Sequence, residues 1–330
     1  MRGLSIWWFA FGYFACYAPY SALAKLLSKG QLAGMAAPID GFVLLPSTVL
    51  ASVAGMFTFL TVARWWRFAT QQKIGRWLVP VPRLRTLVSG TCTAAIVVTT
   101  TLAYTFDGIS IVFAMLLMRG GVLVIAPVVD AVSRRRVQWT SWLALGLSLA
   151  ALLVVFAEKG GFTLSSAATL DIGLYLAAYF VRLRIMSGSA KSEDPDANTR
   201  YFVEEQMVAT PLVMVVLAAW ALLGSSPVAL DLQRGFVDIW REPTIGYIVA
   251  VGLLSQGTGI FGGLILLDKR ENTFCVPVNR ASSILAGLVA SAASAVLFAA
   301  ALPSTFELLG AGLVVCAIAV LSVPSLLKRR

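Results

Sequence analysis

There is no histidine anywhere in the 330 residues, and charged side chains make up only 13% of them. The first absence removes the commonest metal ligand and general base. The second sets the chain apart from soluble globular domains, in which about 25% of residues are charged and about 45–50% apolar. Cysteine is scarce as well. Cys16, Cys92, Cys275 and Cys316 all fall in apolar stretches, and their spacing suits neither a metal site nor a disulfide framework. No paired acid and nucleophile stand at one depth, so an intramembrane enzyme is disfavoured and the chain is expected to need no cofactor.

Apolar sequence fills the space. Hydrophobic residues account for 58% of the chain, and the mean hydropathy is +0.84. Runs close to the ~20 residues that cross a bilayer recur about ten times. They fall near residues 4 to 27, 38 to 62, 86 to 106, 109 to 131, 138 to 157, 168 to 186, 201 to 223, 244 to 267, 273 to 299 and 304 to 325. The fold expected is all-α, a polytopic membrane protein of ten transmembrane helices, with lipid as its main solvent. Arg2 followed by an apolar stretch and Ala22-Leu23-Ala24 could pass for a cleaved signal peptide. That reading is set aside because the first helix has a partner later in the chain.

Lysine and arginine fall mainly on one side of this plan. Eighteen of them, including the Arg64–Arg85 and Arg134–Arg136 groups, Lys269 and Arg270, lie on the side that also holds both termini. Only four lie opposite: Lys29, Lys159, Arg234 and Arg241. Short cytoplasmic loops retain such residues, so both termini are expected in the cytoplasm of a bacterial inner membrane. The net charge of +10 then needs only anionic lipid head groups as partners, not nucleic acid. RWWRFATQQKIGRW, Arg64 to Trp77, is expected as a short amphipathic segment on the inner leaflet, and Trp7 and Trp8 as interfacial anchors.

The chain echoes itself. Asp107 stands twelve residues before Arg119, and Asp268 twelve before Arg280; the same offset of 161 aligns Phe113 with Phe274 and Gly12 with Gly173. A slightly larger offset aligns Asp40 and Pro46 with Glu205 and Pro211. Residues 1–160 and 161–330 therefore read as two five-helix repeats. An odd number of spans per repeat makes the copies enter the membrane from opposite sides, the plan of many secondary transporters.

Ten helices in inverted five-helix halves, with the segment from Thr101 to Phe156 and its echo from Leu264 to Ser322, resemble the drug/metabolite transporter superfamily in its EamA-type branch. The resemblance implies a transport fold with a central cavity lined by the first, third, fourth, sixth, eighth and ninth spans. An arginine in both halves departs from the commoner amino-acid and drug exporters of that family.

Those arginines, Arg119 and Arg280, are the most informative residues. A charge at mid-bilayer costs about 2.5–3.5 kcal/mol on insertion scales, so something must receive it. Either each is neutralised inside the protein, by an acid or by carbonyls at a helix break near Pro277, or two guanidinium groups facing one cavity bind an anion. Arg182 and Gln256 are further candidates for the cavity, as is the tyrosine stripe of Tyr13 and Tyr17 matched by Tyr175 and Tyr179. Asp40, Glu204 and Glu205 stand in the first turns of their helices. They either answer the helix dipole or act as gating and proton-coupling acids. The function expected is secondary transport of a small organic anion, phosphorylated and nucleotide-linked metabolites included. A lipid-phosphate flippase and a drug or amino-acid exporter with structural arginines are the alternatives.

Overall fold

The structure, a computed structural model, describes residues 5–35, 37–102, 111–159, 166–191, 194, 196–298 and 305–327. Asp107, Arg2 and the basic residues Lys328–Arg330 lie outside the described residues, as does the side chain of Phe113. The described chain is all-α apart from one hairpin. Its helices are α1 (Ile6–Lys29), α2 (Gly41–Val62), α3 (Leu84–Leu102), α4 (Ile111–Val132), α5 (Trp139–Lys159), α6 (Ser166–Ser189), α7 (Ala197–Leu223), α8 (Pro227–Val237), α9 (Ile245–Leu266), α10 (Asn272–Phe298) and α11 (Thr305–Leu327). All but α8 fall within a few residues of the apolar stretches read from the sequence.

Helix ends follow local chemistry. Ser5 caps α1 by accepting from the Trp7 amide, and Gly30 closes it at φ 67°, where a side chain would be strained, with the Gln31 amide returning to the Leu26 carbonyl at 3.0 Å. Asp40 accepts from the Phe42 amide at 2.8 Å and caps α2. Four of the described helical segments are long and apolar enough to cross a membrane: Gly41–Val62, Ala197–Leu223, Ile245–Leu266 and Asn272–Ala290. Large apolar side chains such as Val62, Leu170, Leu223 and Val296 face outward on five different helices together with Leu84. Water would not tolerate so wide an apolar surface, whereas lipid does.

Two elements differ from expectation. The segment from Arg64 to Trp77 is not one amphipathic stretch: Trp65–Phe68 forms a 3-10 turn, and β1 (Gln71–Ile74) pairs antiparallel with β2 (Trp77–Pro80). Gly75, at φ 62°, supplies the left-handed residue that a two-residue hairpin loop requires. The short helix α8 lies between two expected spans, where no helix was foreseen. Ser226 caps it and Pro227 opens it, and a Cβ on its Gly235 would collide with the Val43 carbonyl, so α8 lies tight against α2.

Packing brings distant parts of the chain together in matching ways. α1 packs on α9 and α10, while α6 packs on α3 and α4; α2 lies against α9, and α7 against α3; α5 pairs with α11. Close approach relies on small residues where helices cross. A Cβ on Gly252 would meet the Thr48 carbonyl at 2.5 Å, and Ser52 donates to the Gly252 carbonyl at 2.7 Å, so α2 and α9 touch backbone to side chain.

Candidate functional site

Arg119 and Arg280 are each the ninth residue of their helices, α4 and α10. Each guanidinium finds a tyrosine on a different helix. Arg119 Nη2 donates to Tyr17 Oη of α1 at 3.0 Å, and Arg280 Nη2 donates to Tyr179 Oη of α6 at 3.0 Å. Each receiving tyrosine has a second ring one turn away. Tyr13 and Tyr17 stack with centroids 5.5 Å apart, and Tyr175 and Tyr179 are tilted with centroids at 4.9 Å. The Arg280 guanidinium also lies 5.4 Å from the centroid of the Tyr179 ring, within cation–π range. The close packing of α1 on α9 fixes this geometry, because a Cβ on Gly262 would stand 2.9 Å from the Tyr13 ring.

Neither arginine has a carboxylate within ion-pair distance among the described residues. Their described partners are phenols, which are neutral acceptors. Arg280 Nε is buried with no hydrogen-bond partner among the described residues. The helix break considered near Pro277 is not there, since α10 runs continuously through it. The charge is therefore held by phenol oxygens and ring faces rather than by carbonyls released from a broken helix.

A central cavity of about 320 Å³ receives Arg280, together with Tyr13, Tyr179, Arg182, Gln256 and Asn279. Valine and isoleucine side chains and the hydroxyls of Thr93, Thr210 and Ser255 complete much of the wall. Of the residues singled out in the sequence, Arg119, Tyr17 and Tyr175 are not among the described lining of this cavity. They adjoin it through the tyrosine pairs.

Arg182 is paired. Its Nε donates to Glu205 Oε1 at 2.8 Å and its Nη2 to Oε2 at 3.0 Å, a two-pronged bridge from α6 to α7 in which both side chains are buried. Ser89 of α3 donates to the same carboxylate at 2.6 Å, and Thr93 lies 3.1 Å from it. Glu204, the preceding residue, points another way. It accepts from the Thr70 amide and hydroxyl at 3.0 and 2.7 Å, from the Arg83 amide at 3.2 Å and from the Thr86 hydroxyl at 2.7 Å. These adjacent acids do not stand in the first turn as expected, because α7 begins at Ala197 and they lie about two turns further in; they do separate tasks, Glu204 fastening the hairpin connection and Glu205 facing the arginine. Asp40 lies apart from both, exposed at the start of α2 on a cavity of about 430 Å³ shared with Asp231, Arg234, Asp238 and Glu242.

Sequence reasoning passed over Asp130, which is fully buried near the end of α4. Its Oδ1 accepts from the Asn272 amide and side chain at 3.0 and 2.7 Å, and its Oδ2 from the Thr273 amide and hydroxyl, both at 2.7 Å. The carboxylate therefore caps α10 from another helix, where the orphan amides and the helix dipole favour negative charge. Asn272 Nδ2 donates onward to Ser187 of α6 at 2.7 Å. Lys191 and Arg135 close over the same end, donating to the carbonyls of Arg270 at 2.7 Å and Lys269 at 2.6 Å. The two arginine-bearing helices are tied at the basic end of the molecule.

No family model and no curated protein matches the chain. Among solved structures, one described as "Crystal structure of protein" is similar over 98% of this chain and 96% of its own, with a TM-score of 0.56 and 14% sequence identity. A likeness at that identity concerns the fold alone, over nearly the whole of both chains.

Proposed function

We propose that the chain is an integral membrane carrier of small organic anions that alternates access around the cavity beside Arg280. In this reading ten helices cross the bilayer as two inverted five-helix repeats, residues 1–160 and 161–330, and the basic face is cytoplasmic. The architecture agrees with the resemblance to the drug/metabolite transporter superfamily. The observation that carries the reading is the pair of guanidiniums bonded to phenols, with no carboxylate in ion-pair range among the described residues. A carrier that must bind and release an anion needs an uncompensated positive charge, because a permanently paired arginine has nothing left to offer.

The packing supports the repeat. Exchanging α1 with α6, α2 with α7, α3 with α9, α4 with α10 and α5 with α11 carries the long-helix packing described above onto itself: α1 on α9 becomes α6 on α3, α1 on α10 becomes α6 on α4, α2 on α9 becomes α7 on α3, and α5 with α11 is unchanged. The same exchange turns the Arg119 to Tyr17 bond into the Arg280 to Tyr179 bond, two bonds of equal length spanning 102 and 101 residues. Two halves that build the same contact in opposite orientation are suited to swap roles about a fixed centre.

The test is ligand-dependent thermal stabilisation of the purified protein by carboxylates, phosphorylated metabolites and organic cations. Arg119→Ala and Arg280→Ala are measured alongside. Anions are expected to stabilise the parent, and each substitution to abolish the shift. Stabilisation by cations, with normal responses from both variants, would refute an anion site.

A further inference from the structure

We propose that Glu205 is the proton-coupling site of this carrier, charged and discharged through a hydroxyl relay from the basic face and driven by competition between the bound anion and Glu205 for Arg182. The inference rests on the carrier reading above and goes beyond it by naming the coupling ion and its path.

Four contacts define the path. On the basic face a cavity of about 570 Å³ is lined by Arg83, Arg85, Arg200, Glu204 and Tyr201, among others. Tyr201 Oη is hydrogen-bonded to Ser89 Oγ, and Ser89 Oγ donates to Glu205 Oε1 at 2.6 Å. Glu205 holds Arg182 by both prongs, and Arg182 lines the central cavity. Two separate cavities are thereby joined through a tyrosine, a serine, a carboxylate and a guanidinium in sequence.

Donor counting gives the chain a direction. Ser89 has one proton and commits it to Glu205, so the bond between Ser89 and Tyr201 is donated by the tyrosine. A proton entering from the basic-face cavity onto Tyr201 moves the tyrosine's own proton to Ser89 and the serine's proton to Glu205. Each hydroxyl gives up one proton and gains one, and only the carboxylate changes charge. Thr93 has one hydroxyl proton for two acceptors, Glu205 Oε1 at 3.1 Å and the Ser89 carbonyl at 3.0 Å, and donates to one of them at a time.

The trigger is Arg182. While it is paired, Glu205 meets the guanidinium through two charge-assisted bonds in a buried place. An anion in the central cavity draws the same guanidinium toward itself. Glu205 then becomes a buried carboxylate without its counter-charge, and taking up a proton relieves that penalty. The titratable groups around Glu205 belong to three elements: Arg182 with Tyr179 behind it on α6, Cys92 on α3, and Tyr201 on α7 itself. Glu204 does not compete for this role, because four donors outside the central cavity hold it. Binding one anion is thus linked to binding one proton, and by reciprocity the proton strengthens the anion's hold.

The experiment is calorimetric titration of the purified full chain with sulfate and with benzoate, neither of which takes up a proton near neutral pH, in buffers of different ionisation enthalpy. About one proton taken up per anion is expected, with the dissociation constant rising about tenfold per pH unit wherever one proton accompanies each anion. In Glu205→Gln the uptake disappears and affinity no longer follows pH; in Ser89→Ala the uptake remains but slows in a stopped-flow pH record. A second measurement needs no ligand and guards against a variant that fails to fold. In Arg182→Gln the infrared spectrum at neutral pH should gain a protonated-carboxyl band that is absent from the parent and from Arg182→Gln/Glu205→Gln. Binding of either anion without proton uptake, uptake that survives in Glu205→Gln, or absence of the infrared band overturns the coupling site and leaves the carrier standing. Failure of both anions to bind the parent overturns the carrier reading itself.

Discussion

Replacing Asp130 by asparagine tests whether α4 and α10 are held together as the structure implies. The substitution keeps the shape and one acceptor oxygen. Of the four donors on the carboxylate, two on each oxygen, the remaining carbonyl can serve two. The new amide group presents hydrogens to the other two. Leaving a buried donor unsatisfied costs about 1–3 kcal/mol, so the pair costs about 2–6 kcal/mol. Loss of the negative charge at the start of α10 adds about 0.3–1 kcal/mol. Against a typical total of about 5–15 kcal/mol, this is a large fraction. The assay is thermal unfolding in detergent at fixed scan rate, since proteins of this size commonly unfold irreversibly. Glu242→Gln, at an exposed position on the far face, serves as the control. Asp130→Asn is expected to melt well below it, and Asp130→Ala lower still, with all four donors orphaned. If Asp130→Asn melts together with Glu242→Gln, the four bonds contribute nothing net and the argument from buried donors fails here.

Other expectations follow from single contacts. Tyr17→Phe and Tyr179→Phe each remove one 3.0 Å bond to an arginine, so each should weaken anion binding by about 0.5–1.5 kcal/mol, about 2- to 13-fold; an effect confined to one of them would speak against equivalent halves. Glu204→Gln should free the hairpin connection that Thr70, Arg83 and Thr86 fasten to α7. Trypsin should then cut faster at Lys73 or Arg76, and unchanged cleavage would show that Glu204 does not hold the hairpin. Gly252→Ala forces a methyl group to 2.5 Å from the Thr48 carbonyl and should lower the melting temperature, whereas Gly246→Ala, with nothing within 4 Å, should not. Equal melting of the two would refute tight packing between α2 and α9.

What could be read from the sequence was whatever depends on periodicity along one helix. Apolar runs located the long helices to within a few residues because such a run signals a buried or lipid-facing helix wherever its neighbours lie. The tyrosine stripes and the two arginines were visible for the same reason: one-turn spacing and a charge inside an apolar run need no knowledge of partners. Contacts across helices were not visible. Arg182 and Glu205 stood out separately, as a cavity candidate and a gating or coupling acid, yet the chain between them gives no sign that they meet. Asp130 gave no signal of its own because its partners, Asn272 and Thr273, lie 142 and 143 residues away. The hairpin was missed although Gly75 between two short runs was a usable turn signal; the basic and aromatic composition around it argued more strongly for a surface segment. Likewise Ser226-Pro227 is a usable start signal for α8, whose 11 residues fall short of a membrane-crossing run. The same division explains why the arginine question stayed open in the sequence. Whether a buried charge is free to meet a ligand depends on which acids are missing from around it, and only the packing of α1, α4, α6 and α10 reveals that Arg119 and Arg280 meet phenols while Arg182 has the carboxylate.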